Sequence, residues 1–376
     1  MKTILIGDHN SPHLYRWAGF LEDAGIDTIT IGYGEAVPQD RYFYRRLIDR
    51  GAAVRTLFGK IASFVKDIHC IATEKPDYIS VHFLTFRSAL LILFSPRPAI
   101  LSCWGTDILV DQPAARGLKR IIRGKALGKS RWITCDAEAV RQSVLREISG
   151  PASKVKIIYW GVDTNLFRVP QPGRSIALEA AALRKELGIP DKATVLLSNR
   201  LAAPNYRIVD IVRQFAAHVR DTNTHLLLRI HQGADSSYSA AVKIEMEKAD
   251  AQARERIHWL DRPMPFAEMP SLYEAGDLVL HFPRSDATPV SMIEAFACGC
   301  GVLCSDSIAA YKTLADDYQL YRIPLEKLDD SVVEEALALR SRFADANAAT
   351  VRKRHSRDVT VRAIKALFDS KPSSEP

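Results

Sequence analysis

No apolar run in the 376-residue sequence is long enough to cross a bilayer; the longest candidate, Ala89–Phe94, falls far short of the roughly 20 residues a spanning helix needs. The opening MKTILIG lacks the longer apolar core and small-residue cleavage site of a secretory signal and reads as a first buried strand, which leads us to expect a cytoplasmic protein. Cysteine is scarce. Cys70, Cys103, Cys135, Cys298, Cys300 and Cys304 mostly sit in apolar runs, as reduced core residues do. The last three have C-x-C-x3-C spacing with no histidine following, which is not a zinc pattern, so no metal site is expected. There is no zinc-finger spacing and no aromatic RNA-binding signature, which leaves nucleic acid out as a partner. G-x-G-x-x-G is missing from Gly7–His13, the place where a nicotinamide or flavin dinucleotide would require it.

What is present is a soluble globular balance, 47% hydrophobic and 25% charged, in a chain long enough for two domains that each bury a core. A net charge of +7 favours anionic partners. Its basic residues concentrate in the first half, in RYFYRRLIDRG from Arg41 and RGLKRIIRGKALGKSR from Arg116. The second run interleaves Leu118, Ile121, Ile122 and Leu127 with cations, as an amphipathic face on an anionic membrane would; an ordinary solvated helix has the same pattern.

Short runs of Ile, Val and Leu alternate with longer amphipathic stretches, the signal of parallel α/β sheets. Strands are expected at Lys2–Gly7, Asp27–Gly32, Tyr78–Phe83, Ala99–Cys103, Trp132–Cys135 and Val155–Tyr159. Ser11 and Pro12 would open the first helix as N-cap and first-turn proline, and another helix is expected near Arg55–Ala72. Periodicity is lost over Gly161–Gly173, which reads as a linker. A second strand series follows: Thr194–Asn199, His225–His231, Ile257–Trp259, Leu278–Phe282, Gly301–Cys304 and Gln319–Ile323. Ser331–Ser370 reads as helical, and KPSSEP as a disordered tail. The expected architecture is two doubly wound, Rossmann-like domains, residues 1–165 and 166–350. They would face one another across a cleft, and a C-terminal helix in 351–376 would pack back on the first domain.

Ligands of doubly wound sheets bind beyond the carboxyl ends of the strands, so the loops there carry the chemistry. His13 stands one turn into the first helix, and His82 at a strand end. Trp104-Gly105-Thr106-Asp107 offers an aromatic platform and a carboxylate, as a sugar site needs, although Asp107 is also a candidate N-cap. Arg200 follows a strand and suits a diphosphate; a salt bridge at the domain interface is its structural alternative. In LVLHFPRSDATPVSMIEAFACGCGVLCSD, Asp286 and Glu294 flank the point where a loop becomes a helix, and the helix N-terminus suits a phosphate. Ser291 and Glu294 have capping-box spacing too.

Taken together, SPHLYRWAGFLEDAG, CWGTD, KIIYWGVDTNLF, SNRLAAPNY and IHWLDRPMPFAEMPSLYEAGDLVLHFPRSDATPVSMIEAFACG resemble a family-four retaining glycosyltransferase of the GT-B fold over nearly the whole chain. The resemblance implies transfer of a hexose from a nucleoside diphosphate sugar to a hydroxyl of a glycan or lipid-linked acceptor. Configuration would be retained, no metal or cofactor would be bound, and the setting would be cell-surface polysaccharide synthesis. It assigns Asp286 to the sugar hydroxyls, and Ala287, Thr288, Pro289, Val290 and Ser291 to sugar and diphosphate. Glu294 would bind the ribose and Arg200 the diphosphate, with Arg200, Asp286 and Asp107 as catalytic residues. His13, Trp104, Gly105 and Asp107 would face the acceptor. Consistent with this, no D-x-D motif occurs. The chain departs from the family pattern at three places: Asn205 replaces the usual lysine, Trp104 stands where many members have histidine, and Ser307–Leu314 lacks Gly-Gly and Glu. A two-domain sugar-nucleotide epimerase and a non-catalytic sugar-nucleotide binding protein are the alternative readings.

Overall fold

A computed structural model describes residues 1–34, 44–50, 57–169, 175–230, 235–262 and 264–370. Much of the basic run from Arg41, the start of the helix expected near Arg55, His231, the end of the expected linker and the tail KPSSEP lie outside the described residues. The chain divides into two compact units, Met1–Gly161 with Arg357–Pro376, and Val162–Ser356. The boundaries therefore fall at 161 and 356 instead of the expected 165 and 350.

The first unit is built on seven parallel strands: β1 Lys2–Asp8, β2 Asp27–Tyr33, β3 Leu47–Asp49, β4 Tyr78–His82, β5 Ala99–Cys103, β6 Trp132–Cys135 and β7 Val155–Ile157. Their spatial order is β3-β2-β1-β4-β5-β6-β7. Continuous burial of Ile4, Leu5, Ile79, Val81, Ile100 and Leu101 reflects helices on both faces. Ser11 caps the helix Pro12–Asp23 by accepting the His13 amide at 3.3 Å, and the helix buries Leu14, Trp17, Phe20 and Leu21. The helix Arg357–Asp369 returns to this unit and packs against Pro12–Asp23. Its Arg357 pairs with Asp23 at 2.5 Å.

The second unit carries β8 Thr194–Ser198, β9 Thr224–Arg229, β10 Ile257–Leu260, β11 Leu278–His281, β12 Gly301–Ser305 and β13 Tyr321–Ile323, in the order β10-β9-β8-β11-β12-β13. Leu226, Leu228, Leu278, Leu280 and Phe215 form its core. Each such fully buried side chain contributes about 2 kcal/mol relative to exposure.

Three expectations change in detail. The short strand Leu47–Asp49 went unread, because three partly exposed edge residues leave no apolar run. The helical stretch from Ser331 is two helices, Asp330–Arg354 and Arg357–Asp369, broken at His355 and Ser356. Of the four apolar residues placed on one face of the basic helix Gly117–Lys129, Leu118 and Ile121 are exposed but Leu127 is fully buried.

Candidate active site

Both sheets reverse strand order at one point, between β1 and β4 in the first and between β8 and β11 in the second, and crevices for ligands open at such points. In the second domain β8 runs beside β11, with Leu196 opposite Leu278. The loops leaving these two strands deliver Arg200 and Asp286. The two residues expected to meet different parts of a donor meet one another: Arg200 Nη2 donates to Asp286 Oδ2 at 3.0 Å. Arg200 Nη1 donates to Ser291 Oγ at 3.1 Å, and its guanidinium lies 4.2 Å from the Tyr206 ring centroid. Burial alone lowers the guanidinium pKa, but Asp286 and the nearby phenols outweigh it, and the cation is held firmly protonated.

Tyr311, fully buried in the helix Ala309–Leu314, donates its hydroxyl to the same Asp286 oxygen at 2.8 Å. Burial and the Asp286 charge push its pKa well up, so the phenol keeps its proton and remains a donor. Asn205 grips the loop that carries Asp286, its amide donating to the Ser285 carbonyl at 3.0 Å and accepting the Ser285 N–H at 3.2 Å. The residue that stands in place of the lysine of the resembled family thus shapes the loop that carries Asp286. Arg207 is committed elsewhere, to Asp210 and Glu326.

The helix Val290–Ala297 begins after Pro289, and no side chain caps it. The capping-box reading of Ser291 and Glu294 is therefore overturned: Ser291 lies inside the first turn and receives Arg200. Met292 N–H turns back on the Pro289 carbonyl at 3.0 Å, and the amides of Val290 and Ser291 ahead of it lie at the helix N-terminus, where an anion is favoured. Glu294 is 4% exposed and accepts the Tyr273 hydroxyl at 2.7 Å, while Asn199 Nδ2 donates to that hydroxyl at 2.8 Å. Burial, then the Glu294 charge, holds the Tyr273 phenol protonated. His281, at the end of β11, is fully buried, and its pKa is driven well below the usual value by burial and then by Arg200.

In the first domain the loops after β1, β4 and β5 border a cavity of about 480 Å³ whose walls include Asp8, Tyr33, His82, Phe83, Arg87 and Trp104. Trp104 Nε1 donates to His82 Nδ1 at 3.1 Å. Because an indole can only donate, this bond requires an unprotonated Nδ1 on His82. Burial, reinforced by His13, lowers the His82 pKa to about 3, so the ring is neutral at physiological pH. His13 stacks its edge on Trp104 at 5.3 Å and lies 4.8 Å from Trp160, completing an aromatic cluster.

The structure brings Trp104, Gly105 and His13 together but gives Asp107 a different part from the one expected. Asp107 is fully buried and accepts the backbone N–H groups of Leu84, Trp104 and Gly105 at 2.8, 3.0 and 3.0 Å. Arg123 bonds its carbonyl. Burial raises its pKa to about 6 against the lowering by these amides. Its carboxylate is spent on the backbone, so it orders the loop and offers nothing to acceptor hydroxyls. Gly105 turns this loop at φ +114°, a region that glycine reaches without strain. Phe83 adopts φ +69° at the end of β4, a conformation costly for a bulky side chain. Phe83 N–H donates to the Ser102 carbonyl at 3.0 Å, and its own carbonyl accepts Thr85 N–H at 3.0 Å and Ser88 Oγ at 2.9 Å. These bonds, with the Asp107 bond to Leu84, hold the turn.

Residues 11–166 match the family model Glyco_transf_4, Glycosyltransferase Family 4. Over this stretch the N-terminal domain is similar to family-four glycosyltransferases. The chain has the GT-B fold, as its similarity to solved structures shows. Anabaena Alr3699/HepE in complex with UDP-glucose aligns with a TM-score of 0.79 at 14% identity, over 99% of this chain and 100% of that one. Sucrose-phosphate synthase from Thermosynechococcus elongatus aligns with a TM-score of 0.76 at 14% identity, over 98% of both chains. A UDP-forming trehalose-phosphate synthase from Burkholderia xenovorans gives 0.73 at 12% identity, over 99% of both. No curated protein sequence matches the chain.

Around this candidate site, Tyr311 and Tyr273 are the residues that sequence reasoning missed, and Asn205 was read only as a replaced lysine. Each acts by holding an acidic side chain or its loop. The signals available were a tyrosine in the segment lacking Gly-Gly and the tyrosine of SLYEAGD, neither of which names its partner.

Proposed function

We propose that the protein transfers a hexose from a nucleoside diphosphate sugar to a hydroxyl of a glycan or lipid-linked acceptor, with retention of configuration, in cell-surface polysaccharide synthesis. The observation that carries the donor half is the convergence of Arg200, Asp286 and Ser291 beside the N-terminal turn of Val290–Ala297. A cation and a helix N-terminus side by side suit a diphosphate that gains charge as its bond to the sugar breaks, and such preorganised stabilisation is commonly the largest catalytic term. Asp286 would share the sugar hydroxyls with Arg200, and Glu294, oriented by Tyr273, would hold the ribose. The structural similarity to HepE, solved in complex with UDP and glucose, supports this reading. The nucleotide sugar is a co-substrate, and neither a cofactor nor a metal is given a role.

On the acceptor side, the indole of Trp104 would take the apolar face of a sugar. No helix among the described residues is long and apolar enough to cross a membrane. Contact with an anionic membrane surface would fall to Phe58, Ile61 and Val65, which are 83, 54 and 57% exposed, and to Leu118 and Ile121, which are 69 and 54% exposed beside Lys119 and Arg120. The two helices carrying these residues both pack on Phe86–Phe94.

The test is nucleotide release from a panel of UDP, GDP and ADP sugars, with Asp286→Ala and Glu294→Ala as controls. Release with one donor class that falls at least about tenfold in both variants is expected. Full turnover in both would remove these residues from the donor site, and conversion of the donor sugar without acceptor would indicate an epimerase.

A further inference from the structure

We infer that the cavity of the N-terminal domain takes an acidic carbohydrate, a sugar carrying one carboxylate or phosphate, and that Arg87 reads its charge. This deepens the acceptor half of the glycosyltransferase reading and rests on it. The cavity, about 480 Å³, is of small-molecule size. Arg87 enters its wall from the first turn of the helix Phe86–Phe94.

The guanidinium is fixed before any ligand arrives. It lies 4.4 Å from the Tyr33 ring centroid, and Nη2 donates to Ser63 Oγ at 3.0 Å, Tyr33 OH at 3.2 Å and Asp67 Oδ2 at 2.5 Å. Asp67 is fully buried and also accepts Arg50 Nε at 3.0 Å. Two guanidinium groups thus share one carboxylate, and the cluster keeps one positive charge. Nη1 of Arg87 makes a single contact among the described residues, a marginal 3.5 Å to the Lys60 carbonyl, and the side chain is 28% exposed. A planar cation held on one edge with donors left on the other is the arrangement that binds a carboxylate or phosphate oxygen.

The rest of the wall suits a sugar. Trp104 and Phe83 offer aromatic surface, and Thr85 and Ser11 offer hydroxyls. Asp8 also lines the cavity, its Oδ1 accepting Asn10 N–H at 2.9 Å. Its remaining oxygen suits sugar hydroxyls, and its charge disfavours a second anionic group in the same space. The wall therefore selects a sugar with one acidic substituent over a neutral sugar or one with two acidic substituents.

Isothermal titration of the full chain, without nucleotide, tests this with methyl β-glucuronide, glucose 6-phosphate and methyl β-glucoside. One or both acidic sugars should bind at least about tenfold more tightly than the neutral glucoside, and the better of the two identifies carboxylate or phosphate. Arg87→Lys should cut acidic-sugar binding about tenfold while leaving glucoside binding and the thermal shift with UDP unchanged. Because removing Arg87 alone would leave Asp67 short of a partner, a second variant, Arg87→Met with Asp67→Asn, removes one charge of each sign and keeps the cluster's net charge at +1, now on Arg50, which does not line the cavity; it should bind acidic and neutral sugars alike. Equal binding of acidic and neutral sugars by the wild type, or acidic-sugar binding unchanged in both variants, overturns the inference and leaves Arg87 a structural residue. A wild type that binds acidic sugar but shows no thermal shift with any nucleotide would instead overturn the donor reading.

Discussion

Tyr311→Phe removes one hydrogen bond and nothing else of consequence, because the ring stays in a fully buried site and leaves no void. The lost bond is the 2.8 Å donation to Asp286 Oδ2, whose carboxylate retains Arg200 at 3.0 Å and the Ala287 N–H at 3.0 Å. A hydrogen bond to a charged group contributes about 1.5–3 kcal/mol, and the two remaining partners place the cost at the lower end, about 1.5 kcal/mol. For a domain of this size that corresponds to a fall in Tm of about 3–6 °C. Since Asp286 and Arg200 are tied together, release of the carboxylate also loosens the guanidinium, and affinity for a nucleoside diphosphate sugar should fall about tenfold, which is about 1.4 kcal/mol. Urea denaturation followed by circular dichroism and calorimetric titration with UDP-glucose measure the two effects. Stability within about 0.3 kcal/mol of wild type, together with unchanged affinity, would show that Tyr311 does not hold Asp286.

Tyr273→Phe should cost more than Tyr311→Phe, about 2–3 kcal/mol in urea denaturation, because Glu294 is nearly buried and loses a 2.7 Å hydrogen bond from a buried hydroxyl. His82, with a pKa lowered to about 3 by burial, must gain a proton on unfolding below its usual 6.5; the stability it contributes is complete above 6.5 and is lost as pH falls toward 3. Comparing His82→Gln with wild type at pH 7 and pH 5 isolates this group, and the variant should lose about 2 kcal/mol less over that interval. Phe83→Gly relieves the φ +69° turn; the relief offsets part of the cost of the lost ring, and backbone refinement of the variant should show the turn unchanged. Phe58→Glu with Ile61→Glu should reduce co-sedimentation with anionic vesicles severalfold while leaving Tm within about 2 °C, since both side chains are exposed.

The parallel α/β architecture was legible because strands buried on both faces leave continuous runs such as TILIG and AILSC, which stand out from amphipathic helices. Arg200 and Asp286 were legible for a related reason: both follow strands, and loops at the carboxyl edge are where chemistry collects. Their mutual bond was not, because it depends on β8 pairing with β11, and pairing between strands about 80 residues apart leaves no local pattern. Asp107 misled for the same cause. A carboxylate after a strand has one appearance in sequence whether it faces a ligand or turns back on the backbone, and only the folded position of the Leu84 amide decides between them. Asn205 shows the complement: read as a lost lysine, it proves to be a clamp on the next loop.

The clamp made by Asp107 bears on how this domain can change. It joins the loop after β5 to the loop after β4 through the Leu84 amide, and so ties the orientation of Trp104 to the turn at Phe83. Substitutions on the two loops are therefore not independent choices. A sequence that drifts at Trp104 alone, or at Phe83 alone, works against a fixed partner, whereas exchange of both segments together, from Phe83 to Leu84 and from Trp104 to Asp107, transfers a self-consistent unit. Acceptor preference in this chain should thus be exchangeable by the paired loops as one cassette, and resistant to redesign one residue at a time.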